Sequence, residues 1–195
     1  HYADYDAMSA TGIAGVLGDV RAHAEADTYA MIIGCHGTGW LPRGLTDYYK
    51  TRAFGGTEAR FQADLADLAD GITRAAMPMQ FIAFDDCYMA GIEVAYDLKD
   101  VTHYLIASTS EIMATGLPYR TIWPYLCATT PNYEAIVNGF YSYYSHGTYP
   151  YGTLSVIDCQ QVEAMAQLMR TFNARYTFDP TQESRLQKLD GMGQT

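Results

Sequence analysis

Residues 81–87, Phe-Ile-Ala-Phe-Asp-Asp-Cys, decide the fold. Four apolar residues following Met77-Pro78 read as a strand buried on both faces, and the next stretch, YMAGIEVAYDL, has helical character. Cys87 therefore stands at a strand-to-helix junction. In open α/β sheets the crevice beyond the carboxyl ends of the strands is where ligands bind, and a helix N-terminus favours a thiolate. If side chains alternate to the end of the strand, Asp85 shares a face with Cys87 while Asp86 points the other way.

A second strand closes in a similar manner. Residues 29–35, YAMIIGC, form a short apolar run that ends in His36-Gly37-Thr38-Gly39-Trp40, a glycine-rich loop. A lone cysteine at a strand end is most often a small buried hydrophobe, and a lone histidine after a strand is no stronger a sign. Delivered to one sheet edge by two strands, the two side chains can form a Cys/His nucleophilic pair, with Gly37 allowing close backbone approach to a substrate.

The rest of the chain repeats the alternation of helix and strand. Residues 11–26 carry Ile13, Val16, Leu17 and Val20 as a helical stripe leading into the 29–35 strand. Residues 41–56, with Pro42, Gly44, Gly55 and Gly56, have no clear period and read as a long exposed loop. Across 57–76, Phe61, Leu65, Leu68 and Ile72 predict an amphipathic helix capped at or near Thr57. Residues 93–99 complete the helix after Cys87, and 103–107 make a third strand running into Ser108-Thr109-Ser110-Glu111. After a loop at 116–119, helical segments are expected at 122–127 and 132–144. A fourth strand is expected over 151–158 and a last helix over 160–176, with Val162, Met165, Leu168, Met169 and Phe172 on one side. This order predicts an α/β chain with a mostly parallel sheet covered on both faces, folded as a single domain over residues 1–195.

Composition narrows the function classes. A chain of 195 residues, 49% apolar, can bury a real core. The net charge of −10, from 22 acidic and 12 basic residues, argues against nucleic acid and anionic membrane surfaces as partners and favours cationic substrates. No apolar run reaches the length of a membrane span. The four cysteines, at 35, 87, 127 and 159, lack zinc spacing, and all are expected to be free thiols, with Cys35, Cys127 and Cys159 serving packing. The start His1-Tyr2-Ala3-Asp4 reads as that of a processed or truncated piece, a C-terminal part of a larger protein.

Taken together, YAMIIGCHGTGW, FIAFDDCYMAGIEVAYDL, YLIASTSEIMATGLPY and TLSVID resemble the clostripain family of cysteine peptidases, in the same clan as caspases, gingipains and legumain. The likeness runs from about Tyr29 to about Tyr176. It implies a caspase-like three-layer α/β/α sandwich, lacking or separated from its first strands, which lie upstream of His1 or are supplied by a second chain. It implies a catalytic His36 and a nucleophilic Cys87, with Asp85 matching an acidic residue associated with the pocket for Arg or Lys. It further implies cleavage of peptides or proteins after basic residues, self-processing in the 41–56 loop, where Lys50 and Arg52 are the candidates, and a secreted or cell-surface bacterial location.

The same reading makes the N–H groups of Gly37 and Cys87 the natural oxyanion donors. Asp85 has a second reading as a cap of the following helix, and Glu111 as either a pocket wall or a turn cap. Asp86 departs from the small residue usual before the nucleophile; a carboxylate there disfavours the thiolate unless it points away. Clustered carboxylates can hold a hard cation such as calcium, which some relatives need, yet no spacing specifies a calcium loop. Two alternatives stand beside this one: a peptidase of the same clan cleaving after Asp or Asn, and a non-catalytic module that binds peptides.

Overall fold

The computed structural model describes residues 6–39, 54–56, 58–146, 150–177 and 179–185. At its centre is the FIAFD run, strand β2 (Met79–Asp85), flanked by β1 (Tyr29–Gly34) and β3 (Thr102–Ala107). A short β4 (Ser155–Asp158) completes a sheet of order β1-β2-β3-β4. β1 and β3 run parallel to β2, and β4 runs antiparallel to β3. Helices α1 (Ala10–His23), α2 (Leu65–Arg74), α3 (Ile92–Leu98) and α6 (Val162–Arg175) lie on one face, α4 (Tyr119–Leu126) and α5 (Tyr133–Ser145) on the other. The three-layer arrangement follows from β2, whose continuous apolar run needs cover on both sides.

Alternation along β2 divides the core. Ile82 and Phe84 face Leu68, Ile72, Val94 and Leu98, while Phe81 and Ala83 face Ile122, Ile136 and Phe140. Phe84 is fully buried and meets the edge of Phe54 at 5.7 Å between ring centroids. Removing its ring leaves a cavity beneath the site, so Phe84→Ala is expected to cost about 3–5 kcal/mol. A shifted denaturation midpoint with an unaltered slope would show this; a change below about 1 kcal/mol would mean that the core collapses around the gap.

Several expected elements differ. The 57–76 helix is shorter: α2 starts at Leu65 with Asp64 at its N-cap, and Ala59–Phe61 is a 3-10 turn. Here the backbone pairs elsewhere, since the Gly56 N–H donates to the Phe61 carbonyl at 2.7 Å and Gly55 bridges to both His36 and Gln62. Phe61 is consequently half exposed. β4 has four residues instead of eight, because Gly152 sits at φ +101° and Thr153 turns its hydroxyl onto Ser108 and Thr109. It is antiparallel because two helices, α4 and α5, bring the chain back to the edge it left; Tyr144, near the end of α5, donates to the Gly116 carbonyl at 2.5 Å. In α6 only Val162 of the predicted stripe is buried, and Met165, Leu168, Met169 and Phe172 stay exposed.

Candidate active site

The last rung between β1 and β2 pairs Gly34 with Asp85, so residues 35–37 and 86–88 leave the sheet side by side. Gly37 packs directly on the backbone of Cys87. A Cβ at this position would lie 2.3 Å from the Cys87 carbonyl oxygen and 2.9 Å from the Asp86 Cβ, so only glycine fits. His36 is exposed, with its backbone bridged to Gly55 in both directions at 3.2 and 3.0 Å. Among the described residues the N–H groups of Gly37 and Cys87 carry no hydrogen bond.

Cys87 is half-buried, and the Ile112 N–H points at its sulfur from 3.4 Å. Burial pushes the Cys87 thiol up, the Ile112 N–H opposes this, and the charges of Glu111, Asp86 and Asp85 add to the rise. The predicted helix N-terminus is not what faces the sulfur: α3 begins only at Ile92, with Gly91 as its N-cap. Residues between are held in a turn against the end of β3, Tyr88 N–H to the Ser110 carbonyl at 3.0 Å and Ala90 N–H to the Ser108 carbonyl at 2.9 Å. Tyr88 consequently takes φ +63°, a conformation that costs an ordinary residue energy and that persists here because its own N–H and that of Ala90 are tied down.

Asp85 is held from the α4 side of the sheet. Its Oδ1 accepts the Leu117 N–H at 2.9 Å and its Oδ2 the Tyr119 hydroxyl at 2.8 Å. Gly116, at φ +68°, passes so close that a Cβ there would lie 2.6 Å from Oδ2. The carboxylate is therefore fixed in direction and does not cap α3, which disposes of the capping alternative. Burial, then the bond to Asp85, pushes the Tyr119 hydroxyl up, so it stays a donor. The Glu111 Oε2 accepts the Tyr151 hydroxyl at 3.2 Å, and its charge acts on Cys87. Tyr88 is pushed up to about 12 by burial, then by Glu111, to which it is also bonded.

Asp86 points away from Cys87, as alternation predicts, and is buried. It accepts the Cys35 N–H and the Cys35 thiol, the latter at 3.2 Å. The expectation that Cys35 and Cys127 serve packing is thus corrected. Both are exposed; Cys159 alone of the three is buried. Lys50 and Arg52 lie outside the described residues, as does most of the 41–56 loop. Among the described residues no group of three or more His, Cys, Asp or Glu side chains is placed to hold a metal ion, and the carboxylates here do not form a calcium cage. Tyr119 and Ile112 were not legible as site residues: each acts through a contact 34 or 25 positions away, with no local pattern to mark it.

The electrostatics give a testable titration. Alkylation of Cys87 by iodoacetamide, followed by mass spectrometry, is expected to rise with pH around a midpoint above the ordinary thiol range. Glu111→Gln removes one of the charges that raises it and should move the midpoint to lower pH. An unmoved curve would show that Glu111 does not act on the sulfur.

A histidine-glycine and a cysteine at adjacent parallel strand ends of a three-layer α/β sandwich define the caspase-like fold. The chain belongs to the clostripain family, whose model matches residues 1–190. Among solved structures it is similar to a secreted C11 cysteine protease from Bacteroides thetaiotaomicron, iotapain. Identity there is 47% over 97% of this chain and 55% of that one, with a TM-score of 0.90. A clostripain from the same organism, in complex with the peptide inhibitor BTN-VLTK-AOMK, is 53% identical over 71% of this chain and 61% of its own, with a TM-score of 0.67. An inactive zymogen C11 protease from Parabacteroides distasonis is 28% identical over 98% of this chain and 52% of its own, with a TM-score of 0.79. The chain thus spans between 52% and 61% of the length of these relatives. No curated protein matches it. Among the described residues no helix is long and apolar enough to cross a membrane.

Proposed function

We propose that this chain carries the catalytic centre of a secreted cysteine endopeptidase that cleaves after Arg or Lys. The observation that carries the reading is the contact of Gly37 with the Cys87 carbonyl, which brings the histidine and cysteine strand ends together. The Cys87 sulfur attacks the carbonyl carbon of the scissile bond, and the N–H groups of Gly37 and Cys87 stabilise the oxyanion. His36 takes the thiol proton and gives it to the leaving amine. The resulting thioester is hydrolysed by a water whose proton passes to His36, and the thiol is restored.

Asp85 receives the substrate's guanidinium or ammonium. Leu117 and Tyr119 orient it, and each of its oxygens keeps accepting capacity for a second donor. A bound cation also offsets one of the charges that keep the Cys87 thiol protonated, so binding the right side chain helps to ionise the nucleophile. The lysine that ends the peptide part of the inhibitor bound to the B. thetaiotaomicron clostripain supports this choice. No cationic side chain bonds Asp85 among the described residues, which disfavours an Asp- or Asn-cleaving pocket. Lys50 and Arg52 then become candidate sites of self-processing, and β1, an edge strand among the described residues, the place where further strands, from this or a second chain, extend the sheet.

Hydrolysis of matched fluorogenic peptides ending in Arg, Lys, Asp, Asn or Ala, by the protein with and without its upstream segment, tests the proposal. Turnover confined to Arg and Lys supports it; turnover of Asp or Asn peptides instead, or of none with Cys87 intact, overturns it.

A further inference from the structure

The carboxylate that departs from the family pattern, Asp86, joins more than its own turn. It is buried to 1% exposure at the end of β2, yet among the described residues it bonds to Cys35 on β1's exit. The Cys35 sulfur in turn accepts the Gly55 N–H at 3.1 Å, and Gly55 is bridged to the backbone of His36. Gly37 sits against the Asp86 Cβ. One buried carboxylate thereby touches or underlies residues 35, 37 and, through sulfur, 55, with His36 in the middle.

We propose that Asp86 is a positioning residue, whose carboxylate grips the N–H and thiol of Cys35 and so holds His36 in line with Cys87. This rests on the peptidase reading above. Asp86 carries a cost, because its charge is among those that raise the Cys87 thiol. Its place next to the nucleophile makes sense only if the grip on the histidine strand outweighs that cost. Cys35 is correspondingly locked: burial, then the charge and bond of Asp86, push its thiol up to about 12, so it remains a donor although exposed. The groups facing Asp86 are Cys35 and His36 from β1's exit, and Asp85 and Cys87 beside it.

The two roles of the charge predict opposite outcomes. In Asp86→Asn the weaker clamp should lower kcat about tenfold while KM stays within twofold, even though the thiol now ionises more easily. Cys35→Ala, at an exposed position, should lower kcat similarly, and Cys35→Ser, which restores a hydroxyl donor to Asp86, should recover most of it. A kcat that rises in Asp86→Asn, or that is equal in Cys35→Ala and Cys35→Ser, overturns the proposal. Iodoacetamide labelling read by mass spectrometry provides an arm free of substrate. Cys35 should label at least tenfold more slowly than the likewise exposed Cys127, and Asp86→Asn should release it. Equal labelling of Cys35 and Cys127 in the unaltered protein would refute the clamp. If no peptide is turned over, the peptidase reading and with it the catalytic role of Asp86 fall, while the labelling still reports whether the Cys35–Asp86 pair forms.

Discussion

Cys87→Ala is expected to remove all measurable hydrolysis of Arg- and Lys-ending peptides, a loss of about 10⁴-fold or more, while leaving the fold intact. The size follows from the chemistry. With the thiol gone no acyl-enzyme forms, and only oxyanion stabilisation and binding remain. The fold should survive because, among the described residues, the sulfur's hydrogen bonds are to Ile112 alone, whose N–H it receives at 3.4 Å, and the residue is half-buried. A circular dichroism melt unchanged by more than a few degrees, with binding of an uncleaved Arg peptide retained, would place the effect on chemistry. His36→Ala should lose almost as much, since in the proposed mechanism the two act as a unit and their effects do not add. Full activity in Cys87→Ala would transfer the chemistry elsewhere, and residual activity in His36→Ala close to that of the unaltered protein would break the dyad.

Asp85→Asn should cut kcat/KM for Arg and Lys peptides by about 10²–10³, the size expected when one partner of a desolvated charge pair is truncated, about 3–4 kcal/mol. Asparagine keeps an acceptor for the Leu117 N–H and a partner for the Tyr119 hydroxyl, so the pocket's shape is retained while its charge is lost. For a peptide ending in Ala the sign reverses. Removing a charge that raises the Cys87 thiol should leave its turnover unchanged or increased. Competition assays with paired Arg and Ala peptides measure both limbs. A uniform loss across all peptides would mean that Asp85 supports the fold of the site and does not select the side chain. Asp85→Ala is the harsher variant, because it strands the Leu117 N–H and Tyr119 hydroxyl without their acceptor.

Much of this site was legible because strand ends are local. The runs 29–35 and 81–87 are apolar enough to be buried strands wherever they fold, and a buried parallel strand must surface at its carboxyl end. The arrival of His36, Gly37, Asp85 and Cys87 at the sheet edge follows from that, and so do the opposite directions of Asp85 and Asp86, because the side-chain period of a strand is two; the roles proposed for them rest on the family resemblance. What could not be read were the elements whose backbone has a choice of partner. Residues 58–64 carry a helical stripe in part, but Gly55 and Gly56 pair with His36, Phe61 and Gln62, and this pairing keeps the segment out of the helix. The turn after Cys87 has helix-forming residues, yet Ser108 and Ser110 of β3's exit take its N–H groups and postpone α3 to Ile92.

By itself, then, the sequence determined the alternating strands and helices, the family, and which residue types arrive at the sheet edge, since these depend on apolar periodicity and on residues next to one another. Only the tertiary structure decided what surrounds them: Tyr119 and Leu117 on Asp85, Ile112 on Cys87, and Cys35 on Asp86. Those contacts span 25 to 51 positions. They exist because packing two helical layers on one sheet brings distant loops to the same edge, where each buried polar group must find a partner that no local pattern announces.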